Sequence, residues 1–167
     1  MMRLVGDHLA SEAKSRGVTD ERDLFGRSAF NRYYYAAFLA VRAVLKKIDP
    51  SWATPSHQSV PEVLKGEVLK RIKKEIQSSE KAGLLSHSQG LRYYSAASAA
   101  ANELSNLLVS ARETRRVADY EPETKLLDNG QVLKLGQYSL EVAKSWEDRV
   151  KAQSGTILNI YAQLGLI

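Results

Sequence analysis

Three arginines, Arg112, Arg115 and Arg116, stand within a turn and a half of Asp119 and Tyr120 in the stretch SARETRRVADYEP at 110–122. Guanidinium groups are rigid planar forks suited to phosphate, so such a run on one helix end can gather a polyanion. The plainer reading is a cationic C-terminus that offsets the helix dipole. Arg115 falls on the apolar seam of its helix, where a guanidinium needs a carboxylate, and Asp119 lies one turn on. It is therefore either half of a structural pair or part of a phosphate site. Arg112 and Arg116 are four apart on another face, more open to solvent, and are the first candidates to touch phosphate. Asp119 and Tyr120 are the polar groups such a site would offer for proton transfer. A general acid or base works best near the operating pH, which favours histidine at about 6.5 over a carboxyl at about 3.9 or a phenol at about 10. No histidine follows Arg112 or Arg115 within reach.

The elements that must position these groups are helical. A first helix is expected over 2–15, closing near Gly17, with VTDERDLFG at 18–26 as a linker or short turn in which Thr19 acts as a cap. Arg27, Phe30, Asn31, Tyr34, Phe38, Val41 and Leu45 then lie along one helical face, which ends before Asp49-Pro50. Asn31 on that apolar stripe must hydrogen-bond if buried, and reads as a polar clasp between helices beside Tyr34, with a ligand contact as the alternative. Tyr33, Tyr34 and Tyr35 point in three directions, so packing claims at least one. A loop at 49–61 leads to a third helix that opens at Pro61 and turns Lys65, Lys70, Lys73, Lys74 and Lys81 mostly to solvent, as a wet face or a binding patch.

The longest helix is expected over 89–119, with a seam of Tyr94, Ala97, Ala101, Leu104, Leu108, Ala111, Arg115 and Ala118, and Glu121-Pro122 stops it. Asn129-Gly130 between short apolar runs is a two-residue hairpin signal, giving a short β-hairpin near 125–135 or else an irregular loop. A last helix from about 137 carries Tyr138, Val142, Trp146 and Val150 on one face, with Ser154-Gly155 as a point of kinking or interruption. The fold class is all-α: an up-and-down bundle of four to five helices in a single domain over 1–167.

Composition fits that class. Hydrophobic residues make up 44% and charged residues 26% of 167, near the averages for soluble globular chains. No apolar run is long enough to span a bilayer and none reads as a signal peptide, so the expected address is cytoplasmic. The chain has no cysteine, and His8, His57 and His87 lack metal-ligand spacing, so neither metal nor cofactor is expected. A net charge of +5 favours a polyanionic partner.

Three segments in order, RSAFNRYYYAAFLAVRAVL at 27–45, SHQSV at 56–60 and RRVADYEP at 115–122, resemble the HEPN superfamily of small helical-bundle proteins. The match lies in Asn31-Arg32-x-Tyr34-Tyr35-Ala36, in the His57 loop and in Ala118-Asp119-Tyr120-x-Pro122. The resemblance implies a homodimer that acts on RNA, in many members as a metal-independent endoribonuclease of a toxin–antitoxin or phage-defence locus, often encoded beside a nucleotidyltransferase. It implies RNA phosphate at Arg32, Arg112, Arg115 and Arg116, and a catalytic position at Arg112, Arg116, Asp119 and Tyr120. Nuclease members carry a histidine four to six residues after the motif arginine, and this chain does not. The alternative implied is a non-catalytic module that docks a nucleotidyltransferase or a toxin, or binds a nucleotide.

Overall fold

The computed structural model describes residues 1–128 and 132–167. It is an all-α bundle with one small antiparallel sheet. In chain order the helices are α1 (Met2–Ser15), α2 (Asp20–Ile48), α3 (Val60–Val63), α4 (Leu69–Lys81), α5 (His87–Tyr120) and α6 (Leu140–Gln163). The strands are β1 (Leu127–Asp128), β2 (Leu133–Leu135) and β3 (Tyr138–Ser139). No helix among the described residues is long and apolar enough to cross a membrane. The chain forms two compact units, Met1–Leu39 with Leu108–Arg149, and Ala40–Leu107 with Val150–Ile167.

In the first unit α2 begins well before its apolar face does, and most of the expected linker at 18–26 is its first two turns. Thr19 Oγ1 accepts the Arg22 N–H at 3.2 Å, and Asp20, Glu21 and Asp23 place carboxylates at the positive end of the helix dipole. Phe30, Tyr33, Tyr34 and Ala37 of α2 are buried, as are Leu108, Ala111 and Ala118 of α5 and Leu140, Ala143 and Trp146 of α6. α1 contributes Ala10 and Ala13 to this core. It is tied down by Tyr33, whose hydroxyl donates to Asp7 Oδ1 at 2.9 Å, and by the Lys14–Glu141 pair at 2.6 Å.

The hairpin is present: β1 pairs antiparallel with β2, Leu127 opposite Lys134, and β2 with β3, Leu135 opposite Tyr138. Leu133 and Leu135 are buried on either side of exposed Lys134, the alternation a one-sided sheet needs. The expected Asn129-Gly130 turn lies outside the described residues. Tyr138 belongs to β3 and not to the last helix, because Ser139 Oγ accepts the Val142 N–H at 3.1 Å and caps α6 there. Val142 is 44% exposed, so Trp146 and Ala143 carry the buried face instead.

In the second unit Val60, Leu64, Val68, Ile72 and Ile76 are all buried at spacings of four. On an ideal α-helix a strict four-residue repeat drifts about 40° per step, so the last of these would leave the core. A π-helical turn at Leu64–Val68 underwinds the chain between α3 and α4 and keeps all five on one side. Facing residues come from α5 (Ala97, Ala101, Leu104) and α6 (Ile157, Ile160, Tyr161), and Tyr161 donates its hydroxyl to the Val68 carbonyl at 3.1 Å. Tyr94 is 36% exposed and falls off the expected seam. α6 runs through Ser154-Gly155 without interruption.

Candidate functional site

The exit from α5 is held by Arg27, which the sequence placed only on an apolar stripe. Its Nη1 donates to the carbonyls of Val117 and Ala118 at 3.2 and 3.1 Å, and its Nη2 to those of Glu121 and Thr124, the former at 3.1 Å. The last carbonyls of a helix have no partner within it, and one guanidinium here meets two of them together with two carbonyls of the segment that follows. Asp23 fixes that guanidinium through Nε at 2.6 Å and uses its other oxygen to accept the Leu126 N–H at 2.7 Å. The spacing of four between Asp23 and Arg27 was the available signal, hidden because 18–26 read as a linker.

This clamp aligns the last turns of α5 beside α2. Asn31 Nδ2 donates to Asp119 Oδ1 at 2.9 Å and Oδ2 at 3.2 Å, the interhelical clasp expected of it. Arg115 Nε lies 2.6 Å from Asp119 Oδ2, close enough for an ion pair though not aligned for a hydrogen bond. The Arg115 guanidinium also stands over the rings of Tyr35 and Tyr120, at 5.8 and 5.9 Å from their centroids. Asp119 thus serves Asn31 and Arg115 together, and Arg115 is enclosed by a carboxylate and two aromatic rings.

Arg116 is also engaged, with Glu113 at 2.7 Å and Glu121 at 2.6 Å. Its hydrogen bonds to Glu113 and then Glu121 hold the guanidinium even more firmly charged than usual, and the same contact holds the Glu113 carboxyl below its ordinary range. The signal for this was the Glu113–Arg116 spacing of three. Arg112 is exposed and forms no ion pair among the described residues. It lines an open hollow of about 480 Å³ with Val109, Glu113, Arg115, Arg116 and Tyr120. A second hollow, about 420 Å³, is lined by Leu24, Ser28, Asn31, Arg32, Asp119 and Tyr120, and Arg32 there is exposed and forms no ion pair among the described residues.

Tyr34 is buried beneath this region, stacked on Phe38 with centroids 6.0 Å apart. Burial pushes its phenol up to about 12, against a smaller downward pull from the charges of Arg112 and Arg115. His57 is half-buried in the loop of the second unit.

The structure therefore brings Arg112, Arg115, Arg116, Asp119 and Tyr120 together at one helix end, with Asn31 and Arg32 beside them. Among the described residues it leaves Arg112 and Arg32 of this cluster without a carboxylate. Such an arrangement can receive a phosphate at either hollow, but its carboxylate is occupied and no imidazole is present to move a proton. Comparison with protein-family models, with curated proteins and with solved structures gives no match.

Proposed function

We propose that this chain is a HEPN-type helical protein of a toxin–antitoxin or phage-defence locus, which as a homodimer binds RNA without cleaving it. The observation that carries the reading is the closed set Asn31–Asp119–Arg115: the carboxylate at the motif position already accepts from Asn31 and is paired with the Arg115 charge. A group so occupied is a poor general base, and no imidazole stands at the site to move a proton in its place. Arg112 and Arg32 remain to hold phosphate, as point contacts on either side of Tyr120. Incubating the protein with total RNA, with and without a chelator, tests the chemistry. Intact RNA retained on the protein, and retained less by Arg112→Ala/Arg32→Ala, is the expected result. Cleavage that yields cyclic phosphate ends would replace this reading with the metal-independent nuclease.

A second reading has its own observation. Leu24 and Tyr120, 64% and 67% exposed, flank the hollow that holds Arg32 and suit a protein partner such as a nucleotidyltransferase or a toxin. A wild-type protein that neither cleaves nor retains RNA would put this docking role ahead.

A further inference from the structure

The excess of positive charge does not lie where the arginine run is. The first unit carries thirteen Lys and Arg against thirteen Asp and Glu, whereas the second carries eleven against six, so the whole +5 belongs to the second. In the first unit most cations are spoken for: Arg3, Lys14, Arg16, Arg22, Arg27, Arg115 and Arg116 all meet carboxylates. In the second, Lys70, Lys73, Lys74 and Lys81 of α4 are exposed and make no ion pair among the described residues.

Their spacing concentrates them. At 3.6 residues per turn Lys70, Lys74 and Lys81 fall within an arc of about 40°, with Lys73 about 60° to one side, and extend about 16 Å along the helix. Leu69, Ile72 and Ile76 occupy the opposite, buried face. The acids of α4 do not answer the lysines. Glu80 lies 3.3 Å from His87 and Glu75 accepts from Ser79; Glu75 stands about 100° around the helix from Lys74, and Glu80 is about two turns, roughly 10 Å, along the axis from Lys73. Lysines placed three and four apart repel one another, a cost the helix bears unless a counter-charge arrives.

The rest of the face selects the partner. Gln77 and Ser78 are its other exposed residues, so no aromatic or aliphatic side chain is offered to a lipid interface, and the apolar side of α4 is already in its own core. Lysine without Trp, Tyr or Arg anchors is also the opposite of a protein-interface centre. A repeated phosphate chain needs only the charge. We infer that the exposed face of α4, through Lys70, Lys73, Lys74 and Lys81, binds the phosphate backbone of a nucleic acid without regard to sequence. It shares a ligand class with the arginine site but none of its residues, so each can fail alone.

The test is anisotropy of labelled single-stranded RNA oligonucleotides of two unrelated sequences, titrated with the full chain. Four phosphate contacts predict a loss of roughly 50-fold in affinity between about 50 and about 200 mM salt, equal for both sequences. Lys70→Gln/Lys73→Gln/Lys74→Gln/Lys81→Gln should bind weakly and lose most of that salt dependence, while the corresponding four arginines should restore it in an equally folded protein. Wild-type affinity in the glutamine variant would overturn the inference, even with Arg112→Ala impaired. So would wild-type protein that binds phosphatidylserine vesicles and ignores RNA.

Discussion

Asn31 of α2 gives one amide group to both carboxylate oxygens of Asp119 on α5, at 2.9 and 3.2 Å. Because Arg115 draws on the same carboxylate, the three form one network, and their contributions should not add. Asn31→Ala should cost about 1 kcal/mol, and Asp119→Ala about 2 kcal/mol, since it leaves both partners unmatched. The double variant should cost clearly less than the sum, and urea unfolding of the four proteins measures the difference. Additive losses would mean that the two residues do not act on each other.

Arg27 offers a sharper case. Arg27→Lys keeps a cation opposite Asp23, but a single ammonium cannot reach the carbonyls of Val117, Ala118 and Glu121 together. Stability should fall by about 2–3 kcal/mol. Hydrogen exchange should show the loss as fraying of the last turn of α5, with the amides of its buried middle unaffected.

Much of this frame was readable in the sequence, and the exceptions have physical causes. The bounds of α1, the end of α2 before Pro50 and the end of α5 before Pro122 follow from turn and proline chemistry that acts locally. Asn31 was readable as a clasp because a polar side chain on an apolar stripe must find a partner. The early start of α2 was missed because Asp20–Gly26 buries little: Leu24 is 64% exposed, and what it does bury, such as Arg22, is polar. The π-turn was missed because a four-residue repeat looks like an ordinary helix until its drift is followed over five positions. At the candidate site, spacing placed the arginines, but it could not say that Glu121, beyond the helix, would return to Arg116.

That return suggests a gain-of-function variant. Glu113→Gln/Glu121→Gln removes both carboxylates from Arg116 and leaves its guanidinium exposed in the hollow with Arg112. RNA affinity at low salt should rise several-fold, and the salt slope should steepen by about one phosphate contact. An unchanged slope would place the bound strand away from Arg116.

Gly6 tests the packing of α1. A Cβ at this position would stand 2.8 Å from the buried Tyr33 ring, whose hydroxyl is anchored on Asp7. Alanine improves helix propensity by up to about 1 kcal/mol, but overpacking of this kind costs about 1–3 kcal/mol. Gly6→Ala should therefore lower the melting temperature, and Gly6→Ala/Tyr33→Leu should recover part of it. A rise in the single variant would show that the ring yields freely.

Alkaline pH should find the buried tyrosines. Burial pushes the phenols of Tyr34 and Tyr161 up to about 12, and burial with the bond to Asp7 raises Tyr33 as well. In the unfolded chain these groups titrate near about 10. The folded state therefore holds more protons than the unfolded state between those values, and stability must fall as pH rises through the interval. Below it, the contribution is fully present. Lysines lose their charge in the same range, so the comparison has to be made between variants. Tyr34→Phe and Tyr161→Phe should each flatten the decline of unfolding free energy with pH, although Tyr161→Phe also loses the bond to Val68 and starts from a lower stability. Parallel curves for wild type and both variants would mean that these hydroxyls reach solvent without unfolding, and that the tyrosines of the two cores are less enclosed than their packing implies.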